Sequence, residues 1–144
     1  MKYNNDEKRN IIMQHYLNPN NLDSSLKFQN DFTKYGETCG DVLTIEFKIE
    51  NEILKKIVFN GKGCSIFMSS TDIFIDLIKN KNLGEIQKYI EWYENLINGN
   101  DLNIEELEKL KELNIFDNIK QFDNRKRCAK MIIEFLKYKL YETK

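Results

Sequence analysis

Between Asn60 and Ser65 the spacing of apolar residues changes from every second position to every third or fourth. On the N-terminal side Leu43, Ile45, Phe47 and Ile49 alternate with mostly polar neighbours, which predicts a strand over Asp41–Glu50 with one buried face. Asn51-Glu52 then turns the chain into a hairpin partner, Ile53–Phe59, and Asn60-Gly61-Lys62-Gly63 is expected to break the sheet. On the C-terminal side the period is helical. Ile66, Ser69, Ser70, Ile73 and Leu77 share one face of a helix that opens at Ser65. A chain with one such switch cannot be a bundle or a sandwich alone.

The rest of the chain fills out an α+β arrangement. Glu7–Leu17 carries Ile11, Ile12, His15 and Tyr16 at helical spacing and stops at Asn18-Pro19. Leu26 and Phe28 begin a further alternation. Beyond the switch, helices are expected over Leu83–Ile97, Ile104–Leu113 and Cys128 to about Tyr141. Tyr89, Trp92 and Tyr93 read as part of a core stripe on the first of these. The expected fold is a small antiparallel sheet packed against helices in a single domain spanning residues 1–144.

Composition narrows the function classes. Hydrophobic residues at 41% suffice for a core, and one proline with six glycines excludes collagen-like and Pro/Gly-rich disordered chains. The N-terminus lacks the apolar run of a secretory signal, and no stretch approaches the roughly 20 apolar residues that span a bilayer. No membrane partner and a cytoplasmic location are therefore expected. A formal net charge of −1 hides segregation: Glu85–Asp117 holds nine acids and three bases, whereas Asp123–Lys144 holds seven bases and three acids. The acidic neighbour and the lack of interleaved aromatics argue against nucleic acid.

Three cysteines, Cys39, Cys64 and Cys128, are too few and too scattered for a disulfide scaffold, which points to a reducing compartment. Each stands where an element is expected to begin or end. Cys64 and Cys128 are placed at helix N-termini, whose unpaired N–H groups favour a thiolate, and Arg125-Lys126-Arg127 adds positive charge beside Cys128. Gly40 allows the side chains of Cys39 and Asp41 to converge. Three thiolates and one carboxylate are the number of ligands a tetrahedral zinc takes, but no pair has C-x-x-C spacing. On spacing alone, three unrelated small buried residues remain an equal explanation.

The sequence around these residues is more specific. His15-Tyr16-Leu17-Asn18-Pro19, Thr38-Cys39-Gly40-Asp41, Gly61-Lys62-Gly63-Cys64-Ser65-Ile66 with Ser69-Ser70, and Arg125-Lys126-Arg127-Cys128-Ala129 together resemble the IscU/SufU/NifU-N family, in the family's order. Arg127 in place of a histidine, and the long stretch between Cys64 and Cys128, resemble the SufU branch. Asn20 and Leu22-Asp23 depart from the family's usual N-terminal loop.

The resemblance implies iron–sulfur cluster assembly, with Cys39, Asp41, Cys64 and Cys128 as metal ligands. It implies Zn²⁺ as the cofactor, Cys39 as acceptor of persulfide sulfur from a SufS-type cysteine desulfurase, and Arg125 as a basic group at the partner contact. Downstream scaffold or acceptor proteins are further implied partners. Such a protein is a sulfurtransferase-like acceptor and activator of the desulfurase, and whether it counts as an enzyme stays open. A [2Fe–2S] scaffold on the same ligands and, from another class, a structural zinc-binding interaction domain are the alternatives. His15 is expected to pack or to contact a partner instead of binding metal. Gly61-Lys62-Gly63 is read as a turn that lets the backbone approach the metal, since it lacks a P-loop ending.

Overall fold

In a computed structural model, described for residues 2–29, 33–36 and 40–142, five α-helices pack with a three-stranded antiparallel sheet. The order is α1 (Asn5–Leu17), β1 (Thr33–Tyr35), β2 (Val42–Glu50), β3 (Ile53–Lys62), α2 (Ser65–Ile78), α3 (Leu83–Asn98), α4 (Ile104–Leu110) and α5 (Asp123–Leu136). A 3₁₀ segment, Lys111–Phe116, follows α4, and a π-helical turn, Lys137–Glu142, ends the described chain. The expected α+β architecture is the observed one.

The period switch falls where the sequence places it, but the sheet runs further. Asn60, Gly61 and Lys62 stay paired with Thr44, Leu43 and Val42, so β3 continues through the expected breaker. Asn60 is held there by its side chain, whose Nδ2 donates to the Leu26 carbonyl at 3.0 Å. Asn51 and Glu52 both take left-handed φ angles, 52° and 65°, as a two-residue hairpin turn requires. Leu26 and Phe28 alternate in burial with their neighbours but form no ladder. The strand that does pair lies later, with Thr33 opposite Thr44 and Tyr35 opposite Val42.

The core is organised around α2. Eleven of its fourteen residues are buried, Ser69, Ser70, Thr71 and Asp72 among them, so it is covered on nearly every side. Ser70 and Thr71 can be buried because their hydroxyls donate to the Phe67 carbonyl at 3.1 and 2.8 Å. α1 and α5 pack directly on α2, and α3 packs on α5. On α3, Ile86, Ile90, Tyr93 and Ile97 turn inward as expected. Tyr89 and Trp92 differ: they are only half-buried, edge to face with ring centroids 5.3 Å apart.

The last helix begins five residues before its expected start. Its N-cap is Phe122 and its first turn contains Asp123, an acid where the helix dipole favours one. Arginine and lysine are good helix formers, so Arg125-Lys126-Arg127 lies inside the helix and does not precede it. Cys128 is consequently in the second turn, beyond the unpaired N–H groups, and the helix-terminus argument holds for Cys64 alone.

Candidate metal centre

Asp41 stands just before β2, between Gly40 and Val42. Gly40 has φ +69°, a left-handed angle that a residue with a side chain adopts only with strain. The bend turns the Asp41 side chain inward, to 1% exposure, while its carbonyl accepts the Gly36 N–H at 2.7 Å. Its Oδ1 accepts the Cys64 N–H at 3.2 Å. A carboxylate 23 positions away in sequence thus takes one of the orphan donors at the start of α2.

Cys64 is the N-cap of α2 and remains exposed. Its Sγ accepts the Phe67 N–H at 3.5 Å, the position a capping oxygen usually takes. Gly63 explains how Asp41 reaches this helix end. A Cβ at position 63 would overlap the Asp41 carboxylate and stand 2.6 Å from the Phe67 ring. Gly63 is therefore a close-approach position, whereas Gly61 and Lys62, read from the sequence as part of a turn beside the metal, are paired residues of β3. Cys128 arrives from α5, which packs on α2, and is 4% exposed.

The side chains of Asp41, Cys64 and Cys128 converge, with a carboxylate oxygen and the two sulfurs all within 4.8 Å of one another. Donor atoms gathered this closely form a group that could hold a metal ion. Two soft sulfurs and one hard oxygen are donors that zinc accepts together, and so does an iron site. Cys39, the fourth residue of the expected set, lies outside the described residues. Arg125 is exposed on the first turn of α5, three residues before Cys128 and hence on the same side of the helix. Its guanidinium carbon lies 4.5 Å from the centre of the Phe122 ring.

A second grouping, His15, Asp72 and Asp76, has equally close ligand atoms but different chemistry. Asp72 is fully buried, and four donors meet its oxygens: His15 Nδ1 at 2.6 Å, the N–H groups of Asn20 and Asn21 at 3.0 and 2.9 Å, and Asn21 Nδ2 at 3.0 Å. Four donors saturate a carboxylate. His15 Nε2 faces Glu112 Oε1 at 3.1 Å, so both ring nitrogens meet acids. The bond to Asp72 above all raises the His15 pKa; burial opposes this and Glu112 reinforces it. This is a hydrogen-bonded clasp, in keeping with the packing role expected for His15.

The sequence reading missed Asp72 and Asn21, although an aspartate inside an apolar helix was a visible signal. The loop departures at Asn20 and Leu22-Asp23 do not loosen the loop. Asn20 and Asn21 also donate to Asp76 at 2.9 and 2.8 Å, and Asp23 and Phe59 share a 2.7 Å backbone bond.

Known proteins resemble this chain in sequence and fold. Bacillus subtilis zinc-dependent sulfurtransferase SufU is 27% identical over 125 residues, which cover 84% of this chain and 80% of that protein. Thermotoga maritima iron-sulfur cluster assembly scaffold protein IscU is 32% identical over 91 residues, 63% of this chain and 62% of its own length. The crystal structure of FiSufU from Fervidobacterium islandicum AW-1 superposes with a TM-score of 0.71 at 21% identity, over 94% of each chain, which shows the shared fold. Residues 7–129 match the family described as NifU-like N terminal domain. With that match over most of its length, the chain belongs to the NifU-like N-terminal domain family of iron–sulfur cluster assembly proteins.

Proposed function

We propose that this protein is a zinc-holding sulfur acceptor of the SufU type, serving a SufS-type cysteine desulfurase. The observation that carries the reading is the convergence of Asp41, Cys64 and Cys128 from three separate elements within 4.8 Å. The similarity to a zinc-dependent sulfurtransferase over 84% of the chain supports it. Asp41, Cys64 and Cys128 hold the metal, and Cys39, two residues before Asp41 across Gly40, completes the set. Bound zinc keeps thiols ionised at neutral pH.

Cys39 is the acceptor in this reading. Its thiolate attacks the outer sulfur of a persulfide on the desulfurase cysteine. A new S–S bond forms at Cys39 as the partner's S–S bond breaks, and the desulfurase cysteine leaves as a thiolate. The oxidation level moves with the sulfur atom, so no external oxidant is needed. Arg125, exposed near Cys128, pairs with a partner carboxylate or with the anionic sulfur as it arrives.

Metal analysis of protein purified without oxygen tests the cofactor. A colourless protein with one zinc per chain is expected. A coloured protein with iron and sulfide would instead support a [2Fe–2S] scaffold, a reading that the IscU relative favours. Cys39→Ala should stay folded yet no longer stimulate alanine release by the desulfurase; stimulation at the wild-type level would remove Cys39 as acceptor. Unfolding of the same variant would favour a structural zinc domain. Asp41→Ala should weaken zinc retention on the order of 10–100-fold, measured by competition with a chromogenic chelator. Unchanged retention would exclude Asp41 from the ligand set.

A further inference from the structure

Cys64 and Cys128 enter the sulfur-acceptor reading only as metal donors, yet they are also two nucleophilic sulfurs set against each other. One caps α2 and the other rides on α5, and their Sγ atoms lie within 4.8 Å of one another. A disulfide bond is about 2 Å long, so the pair has roughly 3 Å or less to close.

The two sulfurs differ in access and in hold. Cys64 is exposed, and its Sγ accepts a long 3.5 Å bond from the Phe67 N–H. Sulfur is a weak acceptor, so turning the Cys64 side chain away from that bond costs little. The Cys64 backbone stays in place meanwhile, because its N–H is held by Asp41 Oδ1 at 3.2 Å. Cys128 is 4% exposed, on a helix packed directly against α2. A small molecule in solution therefore meets Cys64 first, and Cys128 stands behind it within reach of the product.

We propose that Cys64 and Cys128 are a redox pair that closes into a disulfide, with a low-molecular-weight disulfide as oxidant, and gives up the metal as it closes. The Cys64 thiolate attacks one sulfur of the oxidant, forming a mixed disulfide and releasing the first small thiolate. The Cys128 thiolate then attacks Cys64 Sγ, forming the Cys64–Cys128 bond and releasing the second. The two protein sulfurs are oxidised, and the oxidant takes up two electrons and the two thiol protons. Excess small thiol runs both steps backward. The link removes two of the three described donors of the centre, and a metal that needs thiolates leaves with them. The pairing stands on the convergence of the sulfurs; the loss of metal rests on the zinc reading above.

Thiol stoichiometry tests the pairing without any metal or desulfurase. Metal-free Cys39→Ala protein, which keeps only Cys64 and Cys128, is treated with one equivalent of dipyridyl disulfide. Two pyridinethiones per chain are expected by absorbance, leaving a monomer two hydrogens lighter by mass spectrometry. One pyridinethione with a lasting mixed disulfide, or a covalent dimer, would overturn the proposal. If Cys39→Ala fails to fold, Cys39→Ser serves in its place. Adding Cys64→Ser should slow the first release on the order of tenfold or more, since only the buried thiol remains; an unchanged rate would remove Cys64 as the entry point. In the zinc-loaded wild-type protein the same reagent should release zinc in step with a Cys64–Cys128 link mapped by proteolysis. A link that contains Cys39, or a closed pair that keeps its zinc, would overturn it. A protein purified without zinc would defeat the zinc reading alone, because the thione count decides the pairing separately.

Discussion

Gly63 has little freedom to vary. Its missing side chain is the space in which the Asp41 carboxylate approaches the start of α2 and the Phe67 ring lies alongside. Gly63→Ala forces one of the two to retreat. The expected result is a loss of about 1–3 kcal/mol in denaturant unfolding, together with weaker zinc retention. A fully stable alanine variant with normal retention would show that the approach leaves room for a methyl group. Gly40 is constrained differently, since among the described residues nothing lies within 4 Å of a Cβ placed there, and its φ of +69° is what demands glycine. Sequence reasoning recognised both glycines as bends beside cysteines. It had no means to see that one is a matter of space and the other of torsion, because only the folded neighbours distinguish them.

At the scale of elements, the His15 clasp joins α1 to α2 and to the 3₁₀ segment through Asp72 and Glu112. Lys8 adds a 2.7 Å ion pair to Asp117 near the same junction. The His15 pKa is raised above its ordinary 6.5, so the folded state holds this proton more tightly than the unfolded chain. The stabilisation is therefore fully present below about pH 6.5 and is lost as pH rises through the higher folded value. Thermal melts are expected to show a midpoint that falls over that window, and His15→Ala should flatten the dependence. A His15→Ala protein with the wild-type pH profile would show that another group is responsible.

Elements also show where local patterns mislead. The helical period of α3 was legible because Ile86, Ile90, Tyr93 and Ile97 turn one stripe inward, and that of α2 was legible although nearly every side of it is buried. The start of α5 was not, since a run of Arg and Lys looks like an exposed approach to a helix when only apolar spacing is counted. β3 was cut short for a similar reason. Asn60 and Gly61 are turn residues by composition, yet bonds to the 23–26 loop and to β2 keep them extended. All four expected ligand positions were named from the sequence, and three of them lie among the described residues; the convergence of those three depends on α5 packing against α2, which local spacing does not encode.

For the molecule as a whole, the centre ties together the start of the central strand, the start of α2 and the second turn of α5. The apolar core closes without it: Phe67, Phe74, Tyr93 and Phe116 are all at most 1% exposed. On the zinc reading proposed above, stripping the metal with a strong chelator should therefore lower the thermal midpoint without unfolding the chain, a loss on the order of several kcal/mol. Far-ultraviolet circular dichroism would check that the helices persist. Collapse of the signal on chelation would mean that the metal is a structural requirement of the fold.

The near-complete burial of α2 fixes where the candidate centre opens. Cys64 caps a rod gripped on nearly every side, Cys128 rides on the helix packed against that rod, and Asp41 is wedged in beside Gly63. Of these three residues only Cys64 is exposed. The door therefore stands at the head of α2, and a visiting side chain that reaches it there need not disturb the core.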